Sequence, residues 1–316
     1  MAETTPNTAY IFPGQGSQSV GMGQALAETY SVARDTFTEA DAILGFELSR
    51  LCFTGPSELL TDTRNAQPAL LTTSIAAWRA LRAIRPDLPA PCCFAGHSLG
   101  EYSALVAAGW LDFADAVRLT RTRGELMARA GETRPGSMAA ILKLDDALVA
   151  NLCAEAQVET GDIVQVANYN APGQVVVSGG AAGVAALMEL AKKAGGRPRP
   201  LAVSIAAHSA LMTAAAEEFA KHVLQTPFRA PARHDAPVVS NLEACPLETT
   251  DELRNELIGQ LTGSVRWTSS VFKMQELGAT RFVEIGPGDV LTGLIKRILT
   301  GPETANIRTP DDFAAL

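Results

Sequence analysis

The sequence holds no apolar run approaching the roughly 18 residues a helix needs to cross a bilayer, so no membrane span is expected. Positive charge is also short: 26 Lys and Arg stand against 34 Asp and Glu, a formal charge of -8. That balance argues against nucleic acid as the main ligand and leaves room only for a local basic patch. The opening residues, MAETTPNTAYIF, carry an early acid and no basic segment before an apolar stretch. No signal peptide is therefore expected, and a cytoplasmic location is. The five cysteines, Cys52, Cys92, Cys93, Cys153 and Cys245, make no C-x-x-C pair, and no histidine stands at ligand spacing from them. Such an odd, scattered set predicts a reducing compartment and buried thiols, not a zinc site.

What is present is material for a core. With 316 residues, 47% hydrophobic and 19% charged, the chain suits one large domain or a large one with a small insert. TAYIF (8–12) reads as a strand ending at the glycine-rich turn PGQGSQ, followed by helix over roughly 21–44. QPALLTTSIAAWRALRAI (67–84) has helical periodicity, APCCFAG (90–96) reads as a buried strand, and EYSALVAAG as a helix closed by Gly109. FADAVRLTRTRGELMARAG (113–131) is a further helix. Strand alternating with helix predicts a parallel sheet covered by helices, the α/β class.

Between about 129 and 203 the order becomes β-α-β-β-α-β, with a hairpin turning at NAPG, which is the ferredoxin-like unit. The parallel pattern resumes at APVVSN and ATRFVEIGPG, so the unit reads as inserted. The expected division is 1–128 with 204–316 as the large domain and 129–203 as the small one. The closing GPETANIRTPDDFAAL is polar and expected to be peripheral.

Gly96-His97-Ser98-Leu99-Gly100 fits G-x-S-x-G, in which a serine rides a sharp strand-to-helix turn and side chains at the flanking glycines would collide with neighbours. The following helix aims its N-terminus at the site, so the Leu99 N–H can stabilise an oxyanion. A serine nucleophile needs a base. His97 adjoins Ser98 but diverges from it on such a turn, and is expected to support the loop. His222 and His234 fall on polar stretches and read as surface residues. His208, after a predicted strand and before a helix, is at the kind of strand end where α/β sites assemble. For a third member two options stand open: Glu284 in FVEIGPG, or a backbone carbonyl that accepts the imidazole Nδ1–H and fixes its tautomer.

The helix 113–131 contains four arginines. Arg118, Arg121 and Arg129 share a polar face with Glu125, whereas Arg123 steps by three and four onto Leu119, Leu126, Met127 and Ala130, the apolar stripe. An inward guanidinium needs an anionic or hydrogen-bonding partner, either a carboxylate of the chain itself or a carboxylate of the substrate.

IFPGQGSQSVGMG, NAQPALLTTS, GHSLGEYSAL, RGELM, NAPGQVVVSG, HSALM and EIGPGDVLTGLIKR follow one another over nearly the whole chain. In that order they closely resemble the malonyl-CoA:acyl carrier protein transacylases of bacterial fatty acid synthesis. The resemblance implies an α/β-hydrolase-like large domain with an inserted ferredoxin-like α+β small domain. It implies Ser98 as nucleophile, His208 as base, the N–H groups of Gln15 and Leu99 as oxyanion hole, and Arg123 as carboxylate clamp. Gly14 and Gly16 give the chain around Gln15 the freedom such an N–H requires.

The resemblance also implies a glutamine main-chain carbonyl as third member, which maps to Gln260 and demotes Glu284 to a structural role. Gln67 is implied as a polar lining group, and Asn168 and Asn170 either line the cleft or belong to an ordinary hairpin turn. Ala207, small and just before the histidine, implies some tolerance for a methyl branch. The implied reaction is ping-pong transfer of malonyl from malonyl-CoA, through malonyl-Ser98, to the phosphopantetheine thiol of acyl carrier protein, without metal or cofactor. Acyl carrier proteins are acidic, so docking would use local positive charge such as Lys296 and Arg297, or Arg197 and Arg199; the alternative for each is a solvated face. Three other readings are a transferase serving a polyketide carrier, an acyl-thioester hydrolase, and a non-catalytic carrier-binding module.

Overall fold

All five residues of β1 (Thr8–Phe12) are buried, as a strand covered on both faces requires. In the computed structural model, which describes residues 6–232 and 235–316, β1 runs parallel to β2 (Cys93–Gly96), with Ala9 opposite Cys93 and Phe12 opposite Gly96. The first five residues and His234 lie outside the described residues. The chain then builds a separate antiparallel sheet from β3 (Gly136–Leu142), β4 (Val164–Ala171), β5 (Gln174–Gly180) and β6 (Arg197–Pro200). It returns to the first sheet with β7 (Val238–Val239), β8 (Arg281–Ile285) and β9 (Glu303–Ile307).

The large sheet has the order β7-β2-β1-β8-β9, parallel throughout. Since β2 pairs on one side of β1 and β8 on the other, loops leaving the carboxyl ends of β1 and β2 open a crevice of the kind that binds ligands in such sheets. One face is packed by Tyr10, Phe12, Phe94 and Trp78, with the Trp78 ring edge-on to Phe94 at 5.5 Å. Ile11, Val239, Trp267 and Val271 pack the other. The small sheet has the order β4-β5-β3-β6 with the helices Asp146–Thr160 and Ala181–Lys193, the ferredoxin-like arrangement. Its edge strand β4 is tied to the large part where Tyr169 N–H donates to Val265 O (2.9 Å) and Val265 N–H to Ala167 O (2.8 Å).

Several elements depart from the sequence reading. The expected helix over 21–44 is two, Gln24–Thr29 and Ser31–Leu44, broken at Tyr30, whose extended backbone lets its ring stack on Phe313 at 5.3 Å. The helix expected to start at 67 starts at Thr63, capped by the Asp62 side chain. It passes through Pro68, which has no N–H to give to Arg64 O; Arg121 Nη1 donates to that carbonyl instead (3.1 Å), so the interior proline is tolerated. The helix Phe113–Thr133 runs past the expected division at 128/129. The last strand of the small unit, read from RPRPLAVSI (197–205), stops at Pro200, because Pro198 and Pro200 cannot donate to a ladder and suit only an edge.

The closing segment is not peripheral. Glu303–Ile307 pairs with β8 from Arg281 to Ile285 as the fifth strand, and Ile307 and Phe313 are buried. An edge strand needs few inward apolar residues, so its polar wording was a poor guide. Cys52, Cys93 and Cys153 are buried as expected, whereas Cys92 is half-buried and Cys245 exposed. Among the described residues, no helix is long and apolar enough to cross a membrane.

Candidate active site

The turn after β2 holds Ser98 at φ +50°, the left-handed region, which the two flanking glycines make possible. A Cβ on Gly96 would land on the backbone of Gly100 and Glu101, and one on Gly100 on the carbonyl of Phe12. The crowding explains the spacing: two backbones and a helix start converge there. Asn241, just beyond β7, clamps the turn by accepting from Ser98 N–H (2.7 Å) and donating to Gly96 O (2.8 Å).

His208 Nε2 lies 2.8 Å from Ser98 Oγ. It stands not at a strand end but in the loop beyond β6, at φ +58°, directly before the turn Ala210–Met212. Its Nδ1 faces two carbonyls, Gln260 O at 2.7 Å and Gly263 O at 3.2 Å. Carbonyls only accept, so Nδ1 carries the hydrogen and Nε2 is left with a lone pair toward the serine hydroxyl. Burial, and then the positive charge of Arg123, push the imidazole pKa down to about 3, so the ring is neutral at physiological pH. That is the protonation state a general base requires.

Glu284 bonds to neither Ser98 nor His208 and is not in the cavity wall. It accepts from Leu291 N–H, Thr292 N–H, Thr292 Oγ1 and Asn306 Nδ2, capping the helix Val290–Ile298, and burial raises its pKa. His97 Nε2 pairs with Asn170 Oδ1 at 2.9 Å, and His222 is exposed on the helix Thr213–Gln225.

Arg123 is 1% exposed. Its Nη1 donates to Gln67 Oε1 (2.7 Å), and its Nη2 to Gln260 Oε1 (2.9 Å) and to Ser98 Oγ (3.2 Å). Among the described residues no carboxylate pairs with it, and its Nε has no partner. The three other arginines are satisfied outside: Arg118 by Asp115, Arg121 by Glu125 and Arg129 by Glu218. A buried guanidinium held only by neutral oxygens keeps its full charge for an incoming anion, and its fork matches a carboxylate.

A cavity of about 840 Å³ opens over these groups, with Gln15, Ser98, Arg123, Asn168, Asn170 and His208 in its wall. Among the described residues the N–H groups of Gln15 and Leu99 donate to no acceptor, leaving both available. Gln67 is a correction: it does not line the cavity but lies wholly buried behind Arg123, donating to Thr63 Oγ1 at 2.9 Å. Its Oε1 accepts from Arg123 Nη1. Ala207 lines the cavity. Asn241, Glu101 and Glu256 escaped the sequence reading; the available signal was a polar residue closing the buried VVSN strand and an acid inside GHSLGE. No three His, Cys, Asp or Glu side chains among the described residues are grouped as metal ligands.

A family model described as "Acyl transferase domain" matches residues 9–307. The chain is 44% identical to the malonyl CoA-acyl carrier protein transacylase of Escherichia coli, covering 97% of each. It is 46% identical to that of Bacillus subtilis, over 96% of this chain and 94% of the relative. Among solved structures, an acyl carrier protein S-malonyltransferase from Vibrio cholerae superposes with a TM-score of 0.93 at 43% identity, covering 98% and 99% of the two chains. A type II PKS acyl-carrier protein in complex with its malonyl-transacylase gives a TM-score of 0.92 at 41% identity, with 98% of each chain covered.

Proposed function

The chain belongs to the acyl transferase domain family, among its malonyl CoA-acyl carrier protein transacylases, and on that premise we propose how its residues divide the transfer of malonyl from malonyl-CoA to acyl carrier protein. His208 Nε2 takes the hydroxyl proton as Ser98 Oγ attacks the thioester carbonyl carbon. The oxyanion lies on the N–H groups of Gln15 and Leu99. The carbon–sulfur bond breaks, and coenzyme A leaves as the thiol with the proton from His208. In the second half the phosphopantetheine thiol gives its proton to His208 and attacks malonyl-Ser98, and the serine hydroxyl is restored. The Gln260 carbonyl keeps His208 in its tautomer throughout.

The observation that carries this reading is the unopposed charge of Arg123 within 3.2 Å of the Ser98 hydroxyl. A malonyl carboxylate meets it in a fork, with Gln67 and Gln260 holding the guanidinium from behind and Asn168 and Asn170 along the wall. An acyl chain without a carboxylate leaves the cation unmatched. Exposure to malonyl-, methylmalonyl- and acetyl-CoA together, followed by intact and peptide mass measurement, tests it. One malonyl mass on Ser98 is expected; transfer by an unmodified protein contradicts it.

Fatty acid synthesis is the route this reading supplies, and the five free cysteines support a cytoplasmic setting. A polyketide carrier is the second reading, favoured by the 41% identical complex. Turnover with the two carrier types side by side separates them. The inserted unit, taken as 129–203, forms one wall of the cleft. Exposed Lys296 and Arg297, beside the cavity residues Val290 and Leu294, supply a docking charge for the acidic carrier.

A further inference from the structure

Beneath the serine turn two acids share one site. Glu101, on the helix Gly100–Ala107, and Glu256, on the helix Thr250–Gly259, are both buried. Their Oε1 atoms converge on a single amide, Asn241 N–H, at 3.2 and 3.0 Å. Glu256 Oε1 also accepts from Leu242 N–H (3.0 Å), and Glu101 Oε2 accepts from Gln260 Nε2. None of their partners is a cation. Two carboxylates drawn to one amide in a buried site, with no cation beside them, disfavour a second negative charge.

We propose that Glu101 and Glu256 hold one proton between them and, as a hydrogen-bonded pair, position the machinery of the reaction through Gln260 and Asn241. Each arm reaches one reacting group. Gln260 presents its carbonyl to His208 and its Oε1 to Arg123, while its Nε2 is anchored on Glu101. Asn241 holds the Ser98 N–H and the Gly96 carbonyl, while its own N–H is anchored on both acids. Nucleophile, base and clamp thus share one footing. Burial and the mutual repulsion of the pair raise Glu101 far above the ordinary carboxylate range; burial raises Glu256 less, because the Leu242 and Asn241 amides favour its charged form. Glu256 Oε1 accepts from two backbone amides, Asn241 and Leu242, which favours the charge there and leaves the proton on the Glu101 side of the pair. Keeping one proton there also leaves the charge of Arg123, which feels Glu101, free for substrate.

The inference rests on Ser98 and His208 acting as nucleophile and base, but its first test does not need activity. Infrared difference spectra between the intact protein and Glu101→Gln, at neutral pH, should contain the carbonyl stretch of a protonated carboxyl group in the intact protein only. Its absence there overturns the shared proton. The second test is the rate of Ser98 malonylation. A carboxamide at 101 can still accept from Gln260 and donate to Glu256, leaving the Asn241 N–H to Glu256 alone, so Glu101→Gln should load at close to the intact rate. Glu101→Leu loses both contacts and should load about 100-fold more slowly, the scale of an ångström of misplacement. A Gln variant as slow as the Leu variant, or a Leu variant as fast as the intact protein, overturns the positioning role. Should Glu101→Leu fail to fold, the spectrum and the Gln variant decide alone. Failure of the intact protein to acquire any malonyl mass would strike the site reading itself, not this pair.

Discussion

Gln260 meets His208 with its main chain, not its side chain: the carbonyl oxygen is 2.7 Å from Nδ1, while the side-chain oxygen is turned to Arg123 at 2.9 Å. One residue therefore serves the proposed base and the proposed clamp through different atoms, and only the clamp loses a direct partner when the side chain is cut back. Gln260→Leu keeps the carbonyl and removes the amide. Malonyl loading should fall roughly 10- to 100-fold, the worth of a hydrogen bond to a charged group, and uncharged acyl groups should suffer less. Equal losses for malonyl- and acetyl-CoA in a burst assay would contradict this expectation.

The pH response has two components of opposite sign. An unfolded histidine titrates at about 6.5, whereas folded His208 is held down to about 3, so the folded protein binds fewer protons between those values. Stability tied to His208 is whole above the unfolded value and is lost as pH falls through this window. Glu101 and Glu256 are raised, so their contribution is whole below the ordinary carboxylate range and is lost as pH rises through their elevated range. Thermal unfolding across pH should show the second component flattened in Glu101→Gln. The acid limb of kcat/KM for malonyl-CoA should lie below the usual histidine range; a limb at or above that range contradicts a neutral buried base.

Gly100→Ala tests the turn that carries the serine. The added methyl would press on the Phe12 carbonyl, and backbone on both sides leaves little room to yield. A loss of about 1–3 kcal/mol in denaturant unfolding is expected, with Ser98 displaced and loading abolished. An unchanged midpoint would mean that the turn relaxes freely.

Charge reversal at Lys296 tests docking. Lys296→Glu should raise the KM for acyl carrier protein, more at low salt than at high, and spare the KM for malonyl-CoA. A parallel rise in both would remove Lys296 from the docking surface.

Local chemistry in this chain was legible where a residue type has few physical uses. Paired glycines around a serine, a buried strand before it, and an arginine on an apolar stripe each admit few readings, and each stands where periodicity placed it. Contacts between distant segments were not legible. Asn241 reaches Ser98 across 143 positions and Gln260 reaches Glu101 across 159, distances at which spacing carries no signal. The bond from Arg121 to the carbonyl freed by Pro68 is of the same kind, and the turn of helix before that proline was not read. Tyr30 broke a helix because its ring had a better place on Phe313, a residue near the far end of the chain.

The central claim is that Arg123 chooses the substrate. Competition between malonyl-CoA and acetyl-CoA for Ser98 of the Arg123→Ala protein, read as the mass ratio of the two acyl-enzymes, tests it most directly. The preference for malonyl should collapse by about 100-fold or more, with acetyl loading little changed. An undiminished preference would contradict the account.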